Sequence, residues 1–341
     1  MNNEPFLIGG ITVNPGETKA LELPAASLYT QTPINIPIYV FNGLKKGPRV
    51  FITAAIHGDE VNGVEIIRRI LRHPALKHVH GTVIVVPVAN VHGFINLSRY
   101  LPDHRDLNRS FPGSKTGSLT ARIAKLFMDE IISRCTHGID LHTGNIHSEN
   151  LPHIRTNIDV HGALEMAKAF NLPVILDAKL RDGSIRQAAT ELDIPVIVYE
   201  GGEALRFNEI SIRIGVRGIL KVLYALGVIK SSNIHPTKRI KTRVVHSSVW
   251  ARSPKSGIFH QIRTLGSDIS EGEKLAFIAD PFKKHETEVI SPADGIIIGR
   301  STLPLVNEGD ALFHIAKMKA GEEVTSEINQ LQEYYFENPF D

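Results

Sequence analysis

A chain of 341 residues, 42% hydrophobic and 22% charged, has ordinary soluble globular composition and more length than one typical domain holds, so two domains are expected. With 38 basic against 36 acidic side chains the net charge is +2, which gives no global field to recruit nucleic acid or anionic lipid and leaves a small or local substrate as the expected partner. The one cysteine, Cys135, cannot form an internal disulfide, no stretch approaches the ~18 apolar residues of a membrane span, and the opening MNNEPFLIGG lacks the basic region and apolar core of a secretory leader; a cytoplasmic protein with no membrane partner is expected.

Between about residues 36 and 230, short β-branched apolar runs alternate with helical spacing. Residues 38–41 and 50–56 read as strands, and Val61, Val64, Ile67 and Leu71 then recur at the helical period. Residues 82–88 read as the next strand, and a helix is predicted through Leu119, Ile123 and Leu126. Strands at 138–141, 173–176 and 194–198 precede a last helix through Ile212, Ile219, Val222, Leu223 and Leu226. The alternation predicts an α/β sheet flanked by helices, and such sheets place ligands beyond the carboxyl ends of their strands. Residues 231–242, polar and basic with one proline, read as a linker, which sets the domains at 1–235 and 236–341.

Beyond the linker the chain repeats itself. SPKSGIFHQIRTLGSDISEGEKLAFIA from Ser253 matches SPADGIIIGRSTLPLVNEGDALFHIA from Ser291, each with Ser-Pro-x-x-Gly-Ile, an acidic-Gly-acidic turn and an apolar strand. Two β-hairpin units, neither able to bury a face alone, are expected to pack together as one small barrel or sandwich. The tail after Ile315 is acidic and aromatic and is assigned no element.

The chemistry-bearing residues gather at predicted strand ends. In AAIHGDEVNG, residues 54–63, His57 ends a strand, Glu60 opens a helix, and Gly58 removes a side chain that would crowd the turn. A catalytic zinc usually has three protein ligands from histidines and carboxylates plus one open position. His57 and Glu60 supply two, and His142 of GIDLHTGN, just after the strand at 138–141, supplies the third. His147 competes for that role but lies in a polar loop well past the strand, while Asp140 alternates with His142 and either supports it or packs. Taken alone, the H-x-x-E pair equally reads as acids favoured at a helix N-terminus.

DHRDLNRSFPG, residues 103–113, sets Asp106, Asn108 and Arg109 close together beside Arg105. An asparagine next to an arginine makes a carboxylate clamp, the guanidinium fork taking two oxygens and the amide donating a further bond; the plainer alternative is an Asp-rich turn with solvated arginines. In PVIVYEGGE, Glu200 ends a strand, where a partly desolvated carboxylate beside a cation suits a general base for the attacking water, against the simpler reading of a solvated strand-end glutamate. Arg105, or an arginine near Arg99, would polarise the carbonyl and steady the oxyanion. In LPHIRTN, His153 and Arg155 follow the third ligand, where either a substrate-reading residue or a structural loop fits.

The order H-G-D-E, D-L-N-R-S-F-P-G, D-L-H-T-G and a strand ending in Glu-Gly closely resembles the succinylglutamate desuccinylase/aspartoacylase family, a branch of the zinc carboxypeptidase superfamily, over about residues 36–230. The resemblance implies an α/β fold with a zinc-exopeptidase-like mixed sheet and flanking helices. It further implies one Zn2+ per subunit on His57, Glu60 and His142, with Asp106 holding the far nitrogen of His57, Asn108 and Arg109 binding the substrate carboxylate, and Glu200 acting as base. The C-terminal repeat resembles the all-β domain appended in this family, itself similar to a lipoyl/biotinyl-carrier sandwich. A carrier would present a modified lysine between its halves, and Lys283 and Lys284 lie there without the acidic-Lys-Ala or Met-Lys-Met setting; KMKA at 317–320 follows both units.

The resulting expectation is a zinc amidohydrolase that removes the acyl group from a small-molecule N-acyl amino acid. Glu200 and Arg105 are the expected catalytic residues, and Asn108, Arg109 and Arg155 the substrate-binding ones. A metallocarboxypeptidase acting on a peptide C-terminus and a non-catalytic carrier or scaffold are the alternatives. Assembly into homo-oligomers is compatible with each.

Overall fold

The computed structural model describes residues 2–230, 240–282, 285–319, 322 and 324–337. The boundary expected at residues 235 and 236, and Lys283 and Lys284, lie outside the described residues.

Four parallel strands form the centre of the largest sheet. His80–Val86, Lys45–Ala54, His137–Gly144 and Val196–Glu203 lie side by side in that order. Strands buried on both faces carry near-continuous apolar runs, and these do. Val50, Ile52 and Ala54 face one core with Ile66 and Ile70 of helix Asn62–Arg72, Phe170 of helix Ala163–Phe170 and Leu223 of helix Glu209–Ala225. Phe51, between them in sequence, faces the opposite core with Ile123 and Phe127 of helix Leu119–Glu130, as the two-residue period of a strand requires. Phe51 and Phe127 are fully buried, each worth up to about 3 kcal/mol of transfer free energy. Antiparallel strands Pro33–Asn42 and Glu17–Ser27 extend one side, and Ser148–Thr156 the other. The fold is thus α/β with a mixed sheet and helices on both faces.

Two expectations shift on inspection. Helix Asn62–Arg72 buries Gly63, Ile66, Ile67 and Ile70 and leaves Val64 and Leu71 only partly covered, because its apolar stripe is broad and packing on the strands selects one edge of it. His142 and Glu200 lie inside their strands rather than after them, since His137–Gly144 and Val196–Glu203 both run longer than their apolar runs.

Strand Ser148–Thr156 forks the sheet. Residues 148–150 pair with Gly295–Ser301, whereas 154–156 pair in parallel with Val174–Asp177. From the first branch the sheet continues through Ala311–Lys317 to Ser248–Arg252, so C-terminal strands prolong the sheet that carries the central four. A smaller sheet orders Glu286–Ile290, Lys274–Ala279, Gly257–Gln261 and Leu305–Val306. The two sequence repeats exchange strands: Asp268–Ile269 of the first pairs with Gly295–Ser301 of the second, and Leu305–Val306 of the second with Gly257–Gln261 of the first. Both sheets feed one core that includes Phe259, Ile278, Leu312 and Phe313, with Phe259 edge-on to Phe313 at 5.7 Å. The acidic tail forms helix Thr325–Glu337, whose Tyr335 is buried in the core beside helix Glu209–Ala225. Among the described residues no helix is long and apolar enough to cross a membrane.

Candidate active site

A cavity of about 630 Å³ opens beyond the carboxyl ends of the parallel strands, at the fork in the sheet. His57 and Glu60 reach it from the turn between Lys45–Ala54 and Asn62–Arg72, so Glu60 precedes the helix rather than opening it. Gly58 is required in that turn because a Cβ would overlap the Gly93 and Phe94 backbone. This close approach brings the short helix Val91–Ile95 against the turn, and the following loop carries Arg99 into the cavity, with Asn90 Nδ2 donating to the Arg99 carbonyl at 3.2 Å.

The Nδ1 atoms of His57 and His142 both face the Glu60 carboxylate, at 2.7 and 2.8 Å, and the rings stand edge to face with centroids 5.0 Å apart. The far nitrogens are held from behind. His57 Nε2 lies 3.2 Å from Asp106 Oδ1, and His142 Nε2 lies 2.8 Å from Asp140 Oδ2. One ligand atom from each of His57, Glu60 and His142 falls within 4.8 Å of the others, and all three residues are buried.

The charges at this centre favour a cation. Burial opposes protonation of His57, but Glu60 and Asp106 overcome it and raise its pKa; Asp140 and Glu60 do the same, more strongly, for His142. Burial likewise opposes ionisation of Glu60, and the two imidazoles hold its pKa well below the usual carboxylate range. Carboxylates behind both imidazoles and a third between them make a donor set that a divalent ion satisfies, with each histidine oriented through its other nitrogen.

Asp106 is itself fixed. Its Oδ1 accepts the Asn108 N–H at 2.8 Å as the cap of the short turn Leu107–Arg109, and its Oδ2 accepts Arg99 Nη2 at 2.8 Å. Arg99 Nη1 meanwhile stands 3.1 Å from His57 Nδ1 and 3.5 Å from Glu60. Arg105, by contrast, is exposed and is not among the residues that line the cavity.

Glu200 pairs with His142 across the parallel ladder and with His153 across the antiparallel one, which puts its carboxylate on the cavity side beside the His–Glu–His centre. It is 6% exposed and accepts hydrogen bonds from Asn150 Nδ2 and Arg155 Nη1, both at 3.0 Å. Arg155 lines the cavity but spends one nitrogen on Glu200. His153 is buried against the Leu151 carbonyl and does not line the cavity, and burial lowers its pKa. His147 is exposed and also stands outside it. Asn108 and Arg109 also line the cavity, with Asn108 Oδ1 accepting the Ile185 N–H at 2.9 Å, which leaves Nδ2 as the donor for a ligand.

Sequence reasoning missed Asn150, Lys179, Arg181 and Arg186, which lie in no recognisable motif, and Trp250 and His314, which belong to the C-terminal repeat region. Arg186 is buried between the Ala178 and Lys179 carbonyls, and burial, followed by Arg155 and Arg181, lowers its pKa to about 10.

A buried His–Glu–His centre, a carboxylate beside it and arginines around a strand-end cavity make a candidate active site on a mixed α/β fold. Residues 46–226, more than half of the chain, match the succinylglutamate desuccinylase/aspartoacylase catalytic domain, and the chain belongs to that family. It is 28% identical over 285 residues to the N-alpha-acetyl-L-2,4-diaminobutyric acid deacetylase of Halomonas elongata, spanning 80% of this chain and 83% of the relative. Two solved structures share the fold over nearly the whole length. The product-bound ectoine utilization protein EutE (DoeB) from Ruegeria pomeroyi has a TM-score of 0.80 at 23% identity, covering 93% of this chain and 100% of that one. The succinylglutamate desuccinylase/aspartoacylase from Rhodobacter sphaeroides has 0.77 at 25% identity, covering 89% and 96%.

Proposed function

We propose that this protein is a zinc-dependent amidohydrolase, acting in the cytoplasm, that removes the acyl group from an N-acyl amino acid. The observation that carries the reading is the convergence of two carboxylate-backed imidazoles on Glu60, with Glu200 next to His142 in the strand ladder. Family membership supports it, as does the deacetylase activity named for the Halomonas elongata relative.

His57, Glu60 and His142 would hold the zinc, which when bound supplies a Lewis acid that polarises an amide carbonyl and acidifies water, an effect of several kcal/mol. The protein's own groups do the rest. Glu200 accepts the proton of the attacking water and returns it to the departing amine nitrogen. Arg99, steadied by Asp106, is the arginine placed to take the oxyanion role, rather than the exposed Arg105. Arg109 and the Asn108 amide clamp the substrate carboxylate and so fix the scissile bond over the centre, a positioning effect. Arg155 orients Glu200 and presents its remaining donors to substrate. We further propose that residues 1–235 form the catalytic domain and 236–341 an appended sandwich of the lipoyl/biotinyl-carrier kind, a reading supported by the strand exchange between the repeats.

Metal analysis followed by a panel of acetyl and succinyl amino acids tests the proposal. The expected result is zinc bound to the purified protein and release of free amino acid from acyl amino acids in preference to release of the last residue of a peptide. Active protein without metal, or a preference for peptides, would overturn it.

A further inference from the structure

One wall of the cavity is built from side chains that the proposed reaction does not use. Trp250 in Ser248–Arg252 and His314 in Ala311–Lys317 are register partners on antiparallel strands, and their rings stack with centroids 4.4 Å apart and planes 5° from parallel. Both line the cavity, and Trp250 is 37% exposed. His314 Nε2 is hydrogen-bonded to Ser248 Oγ at 2.8 Å, which fixes the ring against the indole. Burial, then His153, Arg155 and Arg181, lowers the His314 pKa to about 3, so the stack carries no charge near neutrality.

The rest of the lining is mixed: Arg109, Arg155, Lys179 and Arg181 are basic, Asp177 is acidic, and Leu176, Leu180 and Val198 are apolar. A carboxylate laid on a flat aromatic stack would lose water and gain no donor from it. An ammonium group would be attracted to the indole face by about 0.5–1 kcal/mol at a site of this exposure, but Arg155 and Arg181, whose charges act on the His314 ring, repel it. An apolar group gains from both the area it buries and the ring contacts.

We propose that the Trp250–His314 stack is the specificity wall of the site and seats an uncharged apolar group of the substrate, carried either on the acyl half or on the amino acid side chain. The inference rests on the deacylase reading and deepens it: the charged side of the cavity fixes what every substrate shares, and the stack selects what distinguishes one from another.

Trp250 is the single tryptophan of the chain, so its fluorescence reports on this wall alone. Two substrate series separate the sources. In one the acyl group stays acetyl and the amino acid runs from alanine to leucine to phenylalanine; in the other alanine is fixed and the acyl group runs from acetyl to butyryl to hexanoyl. KM is expected to fall by about 10-fold or more along one series, the low end for added apolar groups in a fitted pocket. The same series should give saturable changes in Trp250 emission with the zinc-loaded Glu200→Gln protein, whose slowed turnover lets binding be read before hydrolysis. Trp250→Ala should abolish that gain, the loss falling in KM rather than kcat, and Trp250→Phe should retain it. Two flat series, or a gain untouched by Trp250→Ala, would overturn the inference. If no acyl amino acid is hydrolysed but emission still saturates with the apolar series, the wall stands and the deacylase reading falls; hydrolysis with an indifferent Trp250→Ala gives the reverse.

Discussion

On the His57 side of the cavity each polar group is held by another: Asp106 and Asp140 back the imidazoles, Arg99 and a backbone N–H back Asp106, and Asn150 and Arg155 hold Glu200. On the Trp250 side two rings lie against each other and one serine fixes them. Most of the first wall comes from segments with recognisable motifs at strand ends, Arg99 and Asn150 excepted, and the second from strands that, among the described residues, join the same sheet through the pairing of 148–150 with Gly295–Ser301. The difference teaches where rigidity is needed. A reacting centre must hold charges to a fraction of an ångström, which takes hydrogen bonds in depth, whereas a selecting wall needs only shape and neutrality.

The largest effects are expected on the hydrogen-bonded side of the cavity. Glu200→Gln is expected to lose about 10²–10⁴-fold in turnover while binding metal as the parent does, measured by kcat together with metal content; near-parent turnover would remove Glu200 from the role of base. Arg99→Met should cost about 10²–10³-fold in kcat, the scale of a lost oxyanion donor, whereas Arg105→Ala should leave kcat near the parent value. The opposite ranking would return the role to Arg105. Asp106→Asn and Asp140→Asn, which keep shape but weaken the support behind each imidazole, should lower metal affinity by about 10–100-fold in a chelator competition.

The softer wall yields the smallest effect. The His314 pKa in the folded chain, about 3, lies below its ordinary value of about 6.5. Between those values the unfolded chain binds a proton that the folded chain does not, so stability is full above pH 6.5 and declines as the pH falls toward 3. His314→Phe keeps the stacking and removes the titration. Between pH 7 and pH 5 the parent should therefore lose of order 1 kcal/mol more unfolding free energy than the variant, read from urea denaturation. Parallel losses would place the acid sensitivity elsewhere.

Much of the rigid side could be read in the chain because its residues sit where the local pattern changes. His57 and Glu60 follow an apolar run, and His142 and Glu200 continue two others; only their exact positions moved, since both strands run past their apolar stretch. The two arginines were harder. Arg105 adjoins Asp106 in sequence yet does not line the cavity, while Arg99 pairs with Asp106 because the Gly58–Gly93 approach brings its loop inward.

The sequence by itself determined the alternation of strands and helices, the internal repeat, and the three residues that could share a metal, because each is written in residues close together or in a period of a few residues. Only the tertiary structure decided that strand Ser148–Thr156 splits the sheet, that the repeats exchange strands, and that a tryptophan and a histidine from the far end of the chain close the cavity. Those outcomes depend on which strand edges meet, and a strand's edge is backbone, the same N–H and C=O groups whatever the side chains, so its choice of partner is settled only when the whole core packs.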